Sequence, residues 1–101
     1  MPMLLDVEVP HESFNTLVRN GTVGQIIGRI LEETNPEAVY FTERDGHRGA
    51  TLVVIVDSPS QVPALAEPWF LNFNADCKFR IAMGPDDLQQ AGLEELGRKW
   101  A

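Results

Sequence analysis

The sequence predicts an α+β fold in which a split β-α-β repeat builds one four-stranded antiparallel sheet. Three observations lead to this prediction. The apolar pattern runs strand, helix, strand, strand, helix, strand, and a short helical tail follows. The two middle strands are joined by a tight turn at Asp45-Gly46. The 101 residues contain no internal repeat and no low-complexity linker, so residues 1–101 are expected to form a single domain.

The first half of the chain predicts one strand and a divided helix. Residues 3–9 alternate apolar and acidic side chains, which is typical of a half-buried strand. A helical stretch opens after Pro10, and its apolar phase shifts at Asn20-Gly21, which predicts a restart. Thr22 and Gln25 have capping-box spacing for the second segment. Asn35-Pro36 should end that helix, because the residue before a proline disfavours helical geometry.

The second half predicts a hairpin, a helix, a fourth strand and the tail. Residues 38–42 and 51–56 have strand composition on either side of the Asp45-Gly46 turn. Ser58-Pro59 is typical of a helix start, and the apolar residues that follow it share one helical face. Residues 77–83 alternate again as a strand. Gly92 is expected to divide the tail into two short helices.

Composition excludes several classes of partner. Eight Lys and Arg against fifteen Asp and Glu give a net charge of −7, which opposes binding to nucleic acid and to anionic lipid surfaces. The single cysteine, Cys77, rules out an intramolecular disulfide framework. The first residues lack a basic region followed by a long apolar run, and no stretch is long enough to span a bilayer. We therefore expect a cytoplasmic protein with no membrane association.

The third strand indicates a second copy of the chain. Residues 52–56 are apolar without interruption, which predicts that both faces of the sheet's centre are shielded from water. The two long helices can cover only one face. The other face must be covered by the C-terminal tail or by a second sheet, and we expect the second sheet, in a homodimer.

Three segments carry a family resemblance: residues 36–43 (PEAVYFTE), residues 66–70 (AEPWF) and residues 83–88 (MGPDDL). With the element order, they resemble small, functionally uncharacterised bacterial members of the dimeric α/β-barrel superfamily, in which two ferredoxin-like subunits press their sheets together. The resemblance implies a dimer with a cleft between helices and sheet. The superfamily includes cofactor-independent oxygenases, isomerases, decarboxylases, haem-binding members and domains without catalytic activity, so it implies no particular reaction.

Strong catalytic motifs are absent from the sequence, and we expect no cofactor. Gly21, Gly24 and Gly28 match neither the dinucleotide fingerprint nor the phosphate loop. The topology should bring His11 and His47 to one end of the sheet, together with Asp45 and Asp76. Two imidazoles and carboxylates suit a transition metal, but an exposed hairpin favours a solvated loop, and we expect no metal site.

The candidate site residues are two separate candidates for proton transfer and one set of aromatic side chains. His11 and Tyr40 are the candidates for proton transfer, because an imidazole titrates near neutral pH and a phenol can orient a ligand oxygen. Trp69, Phe73 and Phe79 are candidates for lining a ligand pocket between helices and sheet, although core packing explains them equally well. The turn length leaves open which face Tyr40 occupies.

Charged residues on strands one and four predict cross-strand ion pairs. Aligning the two strands by their apolar residues places Asp6 near Arg80 and Glu8 near Lys78, on the face away from the helices. These pairs would fix register at the dimer interface. If Arg80 makes no such pair, it becomes the leading candidate for binding an anionic group of a ligand.

Two functions remain open at this point. One is a small homodimeric protein that binds an organic ligand or assists another protein without chemistry. The other is a cofactor-independent isomerase or oxygenase acting on a small organic substrate in a mainly apolar cleft. The absence of an evident acid-base pair favours the binding protein.

Overall fold

The computed structural model describes all 101 residues. It contains four strands, five α-helices and one 3₁₀ turn at Pro59–Gln61. In chain order the elements are β1 (Pro2–Val9), α1 (His11–Arg19), α2 (Val23–Thr34), β2 (Ala38–Arg44), β3 (His47–Ile55), α3 (Val62–Phe73), β4 (Asp76–Ile81), α4 (Pro85–Gln90) and α5 (Leu93–Lys99).

The four strands form one sheet in the order β2-β3-β1-β4, and every neighbouring pair is antiparallel. The predicted α+β class with a four-stranded antiparallel sheet is therefore confirmed. Leu5 lies opposite Leu52 on one side and Phe79 on the other, so these side chains share a face. That face packs against α1, α2 and α3, and we call it the helix-side face. The opposite face, which carries Asp6, is called the open face.

Local signals explain where the elements end. Asp45 and Gly46 form a two-residue turn with φ values of 51° and 81°, as the hairpin prediction requires. The helix break falls at Asn20–Thr22, and Gly21 has a φ of 76°. The capping-box prediction is wrong, because the Thr22 hydroxyl donates to Asn20 Oδ1 at 2.5 Å instead of capping α2.

The core lies between the sheet and the three long helices. Leu5, Val7, Leu52 and Phe73 are its most completely buried side chains. Phe73 stacks on Trp69 of its own helix with ring centroids 5.7 Å apart, and on Phe14 of α1 with centroids 5.6 Å apart. Burial of this size stabilises the fold by about 1.5–3 kcal/mol for each large apolar side chain.

The C-terminal segment departs from this body. Residues 83–101, which we call the arm, follow β4 and contain α4 and α5, separated at Gly92 as predicted. Neither helix has a buried residue. The chain measures 60 Å along its longest axis, and its radius of gyration is 17.1 Å, against about 13 Å for a compact domain of 100 residues. The arm therefore extends away from the sheet and leaves the open face uncovered.

None of the helices combines the length and the hydropathy that crossing a bilayer requires.

Candidate functional site

An apolar cavity of about 390 Å³ lies on the helix-side face, between the sheet and helices α1 and α2. Strands β1, β2 and β3 form one wall of the cavity, and Trp69 of α3 also lines it. The apolar lining consists mainly of Val9, Phe14, Ile27, Phe41, Ala50 and Trp69, and the only charged residue in it is Arg48. Concave, mostly apolar sites with a single convergent charge are typical of small-molecule binding.

Glycine in α2 keeps this cavity open. Gly24 belongs to the lining, and a Cβ built on it would meet no atom within 4 Å. Gly28, one turn further along the same helix, has equally open surroundings but lies outside the lining. A larger side chain at position 24 would therefore enter the cavity.

Two histidines meet at the same end of the sheet. The rings of His11, the first residue of α1, and His47, the first residue of β3, stack with centroids 4.5 Å apart. Nδ1 of His47 is buried and has no hydrogen-bond partner. In the sequence, His11 follows the lining residue Val9 by two positions, and His47 directly precedes the lining residue Arg48. The predicted meeting of the histidines is confirmed, and no group of three or more His, Cys, Asp or Glu residues is arranged to hold a metal ion.

The other aromatic candidates are dispersed. Of the three proposed pocket residues, only Trp69 lines the cavity. Phe73 is fully buried in the core, and Phe79 packs against the core from β4. Tyr40 lies opposite Thr51, so the two-residue turn places it on the open face, where it is 70% exposed. The structure therefore does not bring Tyr40 together with His11.

The open face carries a buried carboxylate with two arginine partners. The side chain of Asp6 is only 8% exposed. Its Oδ1 pairs with Nη2 of Arg44 and accepts from Thr51 Oγ1 at 2.9 Å, and its Oδ2 lies 2.5 Å from Nη2 of Arg80. Arg44 also donates to Thr51 at 2.8 Å. Each carboxylate oxygen has a charged partner, which is the condition under which a buried charge is tolerated.

Gly49 makes room for this network. A Cβ on Gly49 would lie 2.8 Å from the carbonyl oxygen of Val7 and 2.9 Å from Cγ of Arg44. The Arg44 side chain therefore passes directly over Gly49 to reach Asp6, two strands away. A residue with any side chain at position 49 would obstruct that path.

The predicted alignment of strands β1 and β4 is wrong by two residues. The structure places Lys78, not Arg80, opposite Asp6, and Asp76 opposite Glu8. Arg80 still reaches Asp6 diagonally, while Glu8 and Lys78 form no ion pair. Apolar alternation alone is satisfied by either alignment, because both keep the same side chains on the helix-side face. Arg80 already has a carboxylate partner.

Cys77 lies on the helix-side face of β4, opposite Val7. Burial, with a smaller contribution from the negative charge of Asp76, raises the pKa of the Cys77 thiol to about 11. The thiolate is the nucleophilic form of cysteine. Cys77 is therefore a neutral apolar side chain at physiological pH and takes no part in the candidate site.

Arg48 and Arg44 are the residues that sequence reasoning missed. The hairpin strands were predicted to stop at Thr42 and to resume at Thr51, whereas they run without interruption to Arg44 and from His47. Extending the alternation up to the Asp45-Gly46 turn would have placed Arg48 on the face of Val9. A two-residue turn at Asp45-Gly46 requires the strands to continue up to it, so it could have predicted that Arg44 and Arg48 lie on strands.

Among known proteins, the likeness of this chain lies with solved structures. No protein-family model matches it, and no curated protein matches it in sequence. Among solved structures, it is similar to one described as "De novo designed protein Ferredog-Diesel", at 10% sequence identity, with 80% of this chain and 85% of that chain covered and a TM-score of 0.46. A likeness at this level carries no argument about function.

Proposed function

We propose that this protein binds a small, largely apolar organic molecule in the cavity beneath α1 and α2. The observation that carries this proposal is the cavity itself, whose volume is about 390 Å³ and whose lining is apolar except around Arg48. The cavity is open to solvent on one side, where the lining residue Phe41 is 58% exposed, so a small molecule can enter it without unfolding the core. Gly24 and Ala50, two of the three smallest lining residues, leave space for it.

Binding can be tested with N-phenyl-1-naphthylamine, a neutral dye whose fluorescence rises in apolar surroundings. We expect saturable binding by the wild-type chain and by Gln25→Leu, and loss of binding in Gly24→Leu. Gln25 is the neighbouring exposed residue of α2 and lies outside the cavity lining, and a Cβ on Gly24 meets no atom, so neither substitution should weaken folding. No saturable binding by the wild type would refute the function, and undiminished binding by Gly24→Leu would place the ligand elsewhere.

We infer further that the protein is a ferredoxin-like member of the dimeric α/β-barrel superfamily and works as a homodimer in the cytoplasm. Two unpartnered apolar surfaces support the dimer. On the open face, Ile55 and Tyr40 are 46% and 70% exposed. On the arm, the exposed apolar side chains are Met83, Leu88, Leu93, Leu96 and Trp100. Helices as short as α4 and α5 are marginal in water without a surface to pack on.

A second copy supplies what both surfaces lack. The arm leaves β4 beside the start of β1, at the end of the open face that carries Leu4 and Ile55. In a two-fold dimer each arm would lie on the sheet of the partner, because isologous contacts use the same two surfaces twice. We expect Leu93→Asp to shift the dimer towards monomer. Gln90→Asp, which adds the same charge at a polar position of the arm, is the matched control.

A cofactor-independent isomerase or oxygenase is the second candidate function. The stacked His11–His47 pair favours it, because histidine is the side chain that most often transfers protons in catalysis. Incubation with aromatic acids, quinones and lactones, followed by mass spectrometry, separates the two functions. Stabilisation without consumption supports the binding protein, whereas turnover that is lost in His11→Gln supports the enzyme.

A further inference from the structure

Arg48 is the one charged group that the cavity offers to a ligand. It lies on the helix-side face of β3, opposite Val9 of β1 and opposite Glu43 of β2. The lining as a whole presents carbon atoms almost exclusively, so Arg48 contributes mainly its carbon stem to the wall and its exposed guanidinium lies at the mouth of the cavity. A ligand that fills this cavity would therefore place its polar end at Arg48.

The guanidinium of Arg48 is held in position by α1. Its Nη1 donates to Oδ1 of Asn15 at 2.8 Å, and its central carbon lies 4.4 Å from the centroid of the Phe14 ring. A cation over an aromatic face is attracted by the ring quadrupole. These two contacts restrict the arginine before any ligand arrives, so binding would lose less side-chain entropy than with a freely rotating arginine.

Arg48 has no carboxylate partner, although the chain carries a net charge of −7. None of the ion pairs in the structure includes it. Glu43 is its cross-strand neighbour, yet the Glu43 carboxylate accepts a hydrogen bond from the backbone amide of Gly46 at 3.0 Å. A guanidinium has five N–H donors, and the hydrogen bond to Asn15 occupies one of them. The remaining donors have the fork geometry that matches a carboxylate.

We propose that the ligand is an organic anion, with a flat apolar body in the cavity and a carboxylate on Arg48. This inference rests on the proposed function, since it assigns the chemical class of the molecule that the same cavity binds. Arg48 is the binding residue that selects the anion, and Phe14 and Asn15 position it.

The test is displacement of N-phenyl-1-naphthylamine by two matched competitors, 2-naphthoate and the neutral 2-naphthylmethanol. For the wild type we expect 2-naphthoate to bind about 10-fold more tightly or better, as a charge-assisted hydrogen bond provides. Arg48→Gln should abolish that preference, measured as the ratio of the affinities of the same variant for the two competitors. Arg48→Lys should keep part of the preference, because it keeps the charge without the fork.

Arg29→Gln is the matched control, because Arg29 is an exposed arginine on α2 that pairs with Glu33 at 3.3 Å and lies outside the cavity. It should keep the full preference. Equal affinity of the wild type for the two competitors, or a preference that survives Arg48→Gln, would overturn the anion assignment and leave the cavity as a binding site. A wild-type chain that does not bind the dye would overturn the proposed function as well.

Discussion

The two faces of the sheet are completed in different ways. On the helix-side face, Leu5, Val7 and Leu52 are at most 1% exposed, because α1, α2 and α3 cover them. On the open face, Tyr40 and Ile55 remain exposed, and the most buried side chain is the carboxylate of Asp6. The helix-side face is therefore stabilised by apolar burial within the chain. The other is held by ion pairs and still exposes an apolar surface.

The largest expected effect lies on the helix-side face. Phe73→Ala should destabilise the fold by about 3–5 kcal/mol, because it removes a fully buried ring that stacks on Phe14 and Trp69. Urea denaturation followed by circular dichroism measures it. Phe70→Ala, in the same helix but with the ring 38% exposed, should cost about 1 kcal/mol. Equal losses from the two variants would show that the core is not centred on Phe73.

The open face should depend on Asp6 instead of on apolar burial. Asp6→Ala leaves Arg44 and Arg80 without their carboxylate, and we expect a loss of about 3 kcal/mol in urea denaturation. Arg80→Ala should cost about 1 kcal/mol or less, since its side chain is 60% exposed.

A double-mutant cycle sharpens this prediction. Arg80→Ala should lower the free energy of unfolding by less in the Asp6→Ala background than in the wild type. In that background Arg80 has already lost its carboxylate partner. Glu8→Ala, on the same face of β1 without an ion pair, is the control and should change stability by about 0.5 kcal/mol or less. Strict additivity would contradict the network.

Gly49→Ala tests how Arg44 reaches Asp6. A methyl group at 49 would clash with the Val7 carbonyl and with the Arg44 stem, so we expect a loss of about 1–3 kcal/mol. Gly28→Ala, in open space on α2, should instead stabilise the fold by up to about 1 kcal/mol. The two unfolding midpoints should therefore move in opposite directions. A neutral Gly49→Ala would mean that Arg44 has another path.

The smallest effect concerns Cys77 at high pH. Burial raises the pKa of this thiol to about 11, so alkylation of the folded protein by iodoacetamide should be slow at neutral pH and should accelerate as the pH approaches that value. Between pH 9 and 11 the unfolded chain loses the thiol proton while the folded chain keeps it, so stability falls as the pH rises. Cys77→Ala should remove this contribution. Rapid alkylation of the folded wild type at neutral pH would contradict the burial.

Sequence reasoning succeeded where the determinants are local. The Asp45-Gly46 turn, the helix break at Gly21 and the division of the arm at Gly92 each follow from a backbone conformation that these residues favour. The register of β4 against β1 could not be predicted from the sequence. Apolar alternation repeats every two residues, so a shift of two residues leaves the same side chains on the same face.

The candidate site was harder to predict than the fold. Trp69 could be predicted because a large aromatic residue is an obvious candidate for lining a pocket. The cavity also depends on Gly24, and a glycine gives no sequence signal for a pocket. The approach of Arg44 and Thr51 to Asp6 joins three strands and is long-range by nature. The meeting of His11 and His47 was predicted because the topology alone places the end of β1, which His11 follows, beside the start of β3.

The mass of the chain in solution tests the proposed dimer most directly. In that dimer a second copy would cover the open face and the arm. Sedimentation equilibrium across a dilution series reaching low micromolar concentration should give twice the chain mass of 11.3 kDa. A chain that remains an 11.3-kDa monomer throughout that series, with the arm still extended, would contradict it.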